Sequence, residues 1–161
     1  MIRIGHGMDV HRFSDDPARR LVLAGVVIDG APGLEGHSDA DVATHALCDA
    51  VLGAAGLGDL GRHFPDTDPA FAGATSTDLL ARCVSLARAE GLVVSSGDVT
   101  IVAETPKLAG YFDAMAARLT EVVAAPVSVK ATTAEGLGSI GRSEGIAAHA
   151  VVLLSDPTGP S

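Results

Sequence analysis

The chain has 161 residues, enough for one domain with an adequate core. Hydrophobic residues make up 47%, which excludes a disordered chain, and aromatics only 3% with no Trp, so stacking platforms for bases are scarce. The net charge of −9 argues against a nucleic-acid partner, and a phosphorylated ligand would need local cations or backbone N–H groups to offset that field.

Residues 2–13 read as a strand, and Asp9 and His11, two apart, project from one face of it. A polar turn leads to a second strand over 21–28, whose two arms are expected to pair with the first as a hairpin. After a loop over 29–33, Ser38 and Asp41 read as a capping-box start, and the spacing predicts a helix over 39–55. Asp41, His45 and Asp49 share a face of that helix, and its other positions are almost all apolar. A buried stripe of this kind must face a partner, a metal or a wet pocket, because burying it unpaired costs about 2–7 kcal/mol per neutral polar group. Asp9, His11 and His45 together offer a carboxylate and two imidazoles, a set suited to zinc with a fourth position left for water or substrate. The alternative is a hydrogen-bonded Asp9–His11 pair beside a satisfied core histidine, and spacing does not choose between the two.

The helix exits through Gly53, Gly56, Gly58 and Gly61, where backbone can approach a ligand closely. Residues 62–75 read as a loop of a length found in functional lids or in disordered segments, and a lid that orders with ligand is expected. Thr75 and Asp78 cap a helix that runs to Glu90 and stops at Gly91. A strand follows over 98–103. Thr105 and Pro106 then read as cap and first position of an amphipathic helix carrying Leu108, Phe112, Met115, Leu119 and Val122. Residues 127–132 form a strand, 136–141 a turn region and 145–155 the last strand. Cys48 and Cys83 fall at apolar helix positions and read as reduced core residues. With no signal peptide and no apolar run of spanning length, a cytoplasmic protein without a membrane partner is expected. Residues 1–157 are expected to form a single α+β domain, a mixed sheet with helices on one face, and 158–161 a frayed tail. Apolar residues on both sides of 101–102 and 151–154 imply that the other sheet face is covered too.

Several short motifs occur in one order along the chain: Asp9-Val10-His11; His37-Ser38-Asp39 through Asp41-Val42 to His45; Gly58-Asp59-Leu60-Gly61; Phe64-Pro65-Asp66-Thr67-Asp68-Pro69; Pro106-Lys107; and Lys130-Ala131-Thr132-Thr133 through Gly141-Arg142 to Glu144-Gly145. Together they resemble the 2-C-methyl-D-erythritol 2,4-cyclodiphosphate synthase family over nearly the whole chain. The resemblance implies a homotrimer with sheets packed inside and active sites between subunits. It implies a lyase of the non-mevalonate isoprenoid pathway that turns 4-diphosphocytidyl-2-C-methyl-D-erythritol 2-phosphate into a cyclic diphosphate and CMP.

The same resemblance implies zinc at Asp9, His11 and His45, and a magnesium or manganese ion on the substrate diphosphate with Glu135 as its protein ligand. His37 and Thr133 would stabilise the transition state. Substrate contacts are implied at Asp9, Val10, His11, His37 and Ser38, at Asp59, Leu60 and Gly61, and at Phe64, Pro65, Asp66, Thr67 and Asp68. The cytosine pocket falls on Ala103, Glu104, Thr105, Pro106, Lys107, Leu108 and Ala109, phosphate contacts on the hydroxyls of Thr132 and Thr133, and further substrate contacts on Ala134 and Glu135. Ser139 and Arg142 fall by a central cavity.

His37, placed just before the expected helix start, suits a phosphate neighbour. Glu135 read alone is an exposed acid. Ala134, Ser139, Ser143 and Met8 depart from the commoner family residues. Ser139 replaces a bulky aromatic, so weak or absent binding of long prenyl diphosphates is expected, with Arg142 and Glu144 closing into ion pairs. Two other classes stay open: a zinc-dependent phosphodiester or pyrophosphate hydrolase, and a non-catalytic metal-stabilised trimer. Roles for Asp41, Asp49 and His149 also stay open.

Overall fold

Gly5 and Gly7 decide how the first strand meets the helix behind it. In the computed structural model, which describes residues 1–65 and 74–157, strand β1 spans Ile2–Arg12 and helix α1 spans Val42–Ala55. A Cβ on Gly5 would lie 1.9 Å from the Ala50 carbonyl oxygen, and one on Gly7 1.9 Å from that of Ala46. Glycine at both positions lets the helix backbone lie directly on the strand. Asp9 is the next residue on that face, and it arrives opposite His45.

Helix α1 is buried nearly all round, as its composition predicts. It begins at Val42 rather than Asp39, because Asp41 and not Ser38 is its N-cap. Asp41 accepts from the Thr44 amide, whereas Ser38 Oγ accepts from the amide of Ala40, two residues on. The other elements are β2 (Arg20–Leu23), β3 (Val26–Pro32), α2 (Leu60–His63), α3 (Ser76–Ala89), β4 (Val93–Val102), α4 (Phe112–Val123), β5 (Val127–Thr132), α5 (Gly138–Gly141) and β6 (Gly145–Ser155).

The main sheet has the order β1-β6-β4-β5, with β4 and β5 parallel and the other pairs antiparallel. Helix α1 lies on β1 and β6, α3 packs against α1, and α4 packs on β5. The α+β class and the mixed sheet are as expected. The expected hairpin between the first two strands does not form. β2 and β3 pair with each other instead, through a turn at Ala24 (φ 52) and Gly25 (φ 72). Two positive φ angles mark the two-residue turn that suits a twisted hairpin. β1 takes β6 as its partner.

The helix expected to open at Thr105 and Pro106 opens at Phe112. That peptide bond is cis, and Tyr111 stands at the N-cap without a side-chain hydrogen bond. Leu108 is buried ahead of the helix, and Gly110, a poor helix former, separates the two. β4 begins five residues before the expected Asp98. The expected tail, 158–161, lies outside the described residues.

Among the described residues of one chain, none covers the second sheet face. Ile4 is 70% exposed, Met8 51%, Val10 52%, and Val151 and Leu153 38% each. Among the described residues no helix is long and apolar enough to cross a membrane.

Candidate metal and nucleotide site

β1 supplies Asp9 and His11 on one face, and the first turn of α1 supplies His45. Asp9 Oδ2 lies 2.9 Å from His11 Nε2 and 3.0 Å from His45 Nδ1. Among the described residues these are the group of ligating side chains whose donor atoms converge within 4.8 Å. Asp9 Oδ1 accepts from the Val10 amide. The His45 side chain is 12% exposed.

The outer nitrogens show what the inner ones are for. His11 Nδ1 donates to the Glu35 carbonyl, which only accepts, so Nε2 faces Asp9 with a lone pair unless the ring is charged. His45 Nε2 is engaged 2.9 Å from Ser76 Oγ and 3.3 Å from Ser38 Oγ. Lone pairs converging on one carboxylate oxygen require a cation between them, either protons or a metal. An imidazole held from its far nitrogen is the usual support of a metal-ligating histidine. The donor set therefore fits a divalent ion that takes nitrogen and oxygen ligands, as zinc does. It also contains the Asp9–His11 hydrogen bond of the alternative reading.

Without a metal the group behaves as an ion pair. Burial raises the Asp9 pKa, and hydrogen bonds from His11 and His45 more than offset that, so its carboxyl lies well below the usual carboxylate range. The bond to Asp9 raises the His11 pKa above its ordinary 6.5 against the opposing effect of burial. The depressed Asp9 adds stability above about pH 3.9 that is lost as pH falls. The raised His11 adds stability below about pH 6.5 that is lost as pH rises through its folded value. The stability difference between wild type and Asp9→Asn, both stripped with chelator, should therefore be largest between about pH 4 and 6.5. Thermal melts across that range test it, and a difference that keeps growing above pH 8 would sink the ion-pair account.

Asp41, His45 and Asp49 do not share a partner as the helical stripe suggested. Asp41 is buried and accepts from the Ala24, Gly25 and Thr44 amides and the Thr44 hydroxyl. Asp49 accepts from the Leu60 amide at 2.7 Å and so fixes the glycine-rich exit. Asp59 caps α2 by accepting from the Arg62 amide. Leu60 and Gly61 lie within α2, and Phe64 is its C-cap, followed by Pro65. Asp66, Thr67 and Asp68, with most of the expected lid, lie outside the described residues. His37 is exposed and five residues ahead of α1, so the expected placement at a helix N-terminus does not hold.

A second cluster sits at the other edge of the sheet. Ala103, Glu104, Pro106, Lys107, Leu108, Ala131, Thr132 and Thr133 line a cavity of about 130 Å³. Thr105 and Ala109 are exposed beside it. Glu104 Oε1 accepts from the amides of Ala134 and Gly136, which pins the turn carrying Thr133 and Glu135. Thr133 Oγ1 donates to Glu135 at 2.6 Å. Glu135 is exposed on this turn and is not part of the Asp9 group. Ser139 is exposed on α5, and exposed Arg142 donates from Nε to Glu144 at 2.6 Å. Sequence reasoning missed Ser76 and the bracing role of Glu104. The serine after a helix cap and the acid after a strand carry no local signal of either.

The sequence profile of the YgbB family matches residues 2–155. The chain belongs to the YgbB family. It is 57% identical over 155 residues to the 2-C-methyl-D-erythritol 2,4-cyclodiphosphate synthase of Symbiobacterium thermophilum, covering 94% of this chain and 98% of that one. Among solved structures, the bifunctional IspDF of Campylobacter jejuni superposes with a TM-score of 0.90 at 43% identity. That match covers 96% of this chain, which spans 42% of the longer bifunctional protein. A 2C-methyl-D-erythritol-2,4-cyclodiphosphate synthase in its CDP-bound form superposes with a TM-score of 0.86 at 37% identity, covering 95% of this chain and 100% of that one.

Proposed function

We infer that this member of the YgbB family is a 2-C-methyl-D-erythritol 2,4-cyclodiphosphate synthase. It would take the cytidine-diphosphate-linked erythritol 2-phosphate and release CMP as the substrate's own phosphate closes on the diphosphate. The observation that carries the reading is the convergence of Asp9, His11 and His45 in a chain 57% identical to a synthase of that name. The attacking phosphate belongs to the substrate, so no protein nucleophile is required. The work is to hold two anions in line and offset their charge. A zinc ion held by Asp9, His11 and His45 would supply Lewis-acid polarisation of a phosphate oxygen.

The other roles belong to this chain's own groups. Ala103 to Ala109 would take the cytosine, largely through backbone groups. Asp59 and Gly61 would take the ribose. Thr132 and Thr133 would donate hydroxyls to phosphate, on a turn that Glu104 keeps in place. Glu135, already beside Thr133, would face a magnesium or manganese ion carried by the diphosphate. His37 would approach the same phosphates from the metal side.

We also infer a homotrimer with its sites between subunits, working in the cytoplasm. β1 and β5 are the two edges of the main sheet, so three strand spacings, about 14 Å, separate the metal group from the Thr132–Thr133 cavity within one chain. A second copy placed edge to edge would bring the two half-sites together, and the exposed face of Ile4, Met8, Val10, Val151 and Leu153 would pack inside. Ile4→Glu should then release monomers and cost at least about 100-fold in turnover, with the chain still folded. That corresponds to about 2.7 kcal/mol of lost transition-state stabilisation. Light scattering reads the mass, and a fully active monomeric wild type would overturn the assembly. The two cysteines are free and buried, as a reducing compartment suits.

Incubation with the cytidyl substrate and Mg²⁺, followed by phosphorus NMR, tests the activity. A cyclic diphosphate with one equivalent of CMP is expected. Two open phosphates would replace this reading with a hydrolase, and absence of turnover in zinc-loaded protein would replace it with a binding role.

A further inference from the structure

Ser76 is the first residue of α3, is fully buried, and lies 2.9 Å from His45 Nε2. Its hydroxyl donates to the Asp39 carboxylate, and Asp39 also accepts from the Ser76 amide at 3.2 Å. A serine hydroxyl has a single proton. With that proton on Asp39, Ser76 Oγ presents a lone pair to His45, so Nε2 must carry a hydrogen. Ser38 Oγ, farther away at 3.3 Å, does not reverse this: a bare Nε2 would still press its lone pair on Ser76 Oγ. In the neutral ring, the form that a metal binds, the nitrogen left with a lone pair is Nδ1, the one 3.0 Å from Asp9 Oδ2.

We propose that Asp39 and Ser76 are positioning residues that hold His45 in its Nε2–H form, so that Nδ1 is the nitrogen offered to a metal. This rests on the metal reading above. His11 is set the same way by the Glu35 backbone carbonyl, a group that side-chain substitution does not remove. His45 instead depends on two side chains from separate segments. Asp39 lies in the stretch before α1. Ser76 directly follows the 62–75 segment, so the exit of that segment is tied to a metal ligand.

The full-length chain tests this through zinc affinity, by chelator competition, and through long-range ¹H–¹⁵N spectra of the His45 ring. Wild type should bind zinc through His45 Nδ1 with Nε2 protonated. Ser76→Ala should weaken zinc about 10–100-fold, and Ser76→Thr, which keeps the hydroxyl, should recover most of that. Asp39→Ala frees the Ser76 hydroxyl to donate to Nε2. It should shift the neutral, metal-free ring from Nε2–H towards Nδ1–H and weaken zinc without touching a ligand. The double variant Asp39→Ala/Ser76→Ala should be no worse than the sum of the two and less than additive, because both act through one nitrogen. Ser76→Ala that folds and binds zinc as wild type, or a wild-type spectrum with Nε2 ligated, overturns the proposal. If Ser76→Ala fails to fold, Asp39→Ala decides through the same two readouts. Zinc retained by His45→Ala would instead overturn the metal reading itself.

Discussion

His45→Ala should lose zinc and turnover together, by at least about 10³-fold in turnover, while the chain stays folded. The size follows from the charge problem. A diphosphate and a phosphate would have to approach each other in a protein of net charge −9, and the imidazole would be one of two nitrogen ligands to the cation that offsets them. Losing Lewis-acid stabilisation of several kcal/mol corresponds to this range, since 1.36 kcal/mol is tenfold in rate. The fold should survive because α1 is held by Gly5 and Gly7 against β1 and by its own apolar surface, not by this side chain. Metal analysis and the phosphorus NMR assay on one preparation check it. Full zinc occupancy with normal turnover would refute the assignment of Asp9, His11 and His45.

The second large effect is on stability. Asp41→Ala should destabilise the chain by about 3–5 kcal/mol. Asp41 is buried, and its two oxygens receive the Ala24 amide at 2.8 Å, the Gly25 amide at 2.6 Å, and the Thr44 amide and hydroxyl at 3.0 and 2.6 Å. Removing it strands donors of the β2–β3 turn and of the first turn of α1, at about 1–3 kcal/mol for each buried donor left unpaired. It also removes the cap of α1, itself worth about 1 kcal/mol. Asn is not a rescue, because its NH₂ would face a donor. Burial raises the Asp41 pKa, against its hydrogen bonds. The folded chain therefore binds this proton more tightly than the unfolded one, and the group's contribution falls as pH rises above about 3.9. Urea unfolding at pH 7 measures the loss, and a change under about 1 kcal/mol would show that water replaces the carboxylate.

Much of the fold was legible because its signals are local. Residues 127–132 and 145–155 carry β-branched and apolar runs between turn residues, and both strands fall where those runs do. Thr75 and Gly91 bracket α3 because a hydroxyl cap and a left-handed glycine are chemical requirements of helix ends. The candidate group was legible in part for a similar reason: a two-residue period puts Asp9 and His11 on one strand face, while spacing alone did not choose between a metal and a hydrogen-bonded pair.

The sequence by itself determined the class of the fold, the candidate group of Asp9, His11 and His45, and, through motif order, the family. The tertiary structure decided what depends on partners distant in the chain. Which of Ser38 and Asp41 caps α1 turned on the Ala24–Gly25 turn, 16 and 17 residues away from Asp41. Which strand pairs with β1 turned on β6, at the far end of the chain. Which nitrogen of His45 carries hydrogen turned on Ser76, 31 residues on. The strand order that puts Asp9 and Thr133 at opposite edges was likewise invisible, because a periodic pattern records which face a residue takes and not which strand lies beside it. Local preference is written residue by residue, whereas pairing is a competition among all segments for the same buried surface and hydrogen bonds.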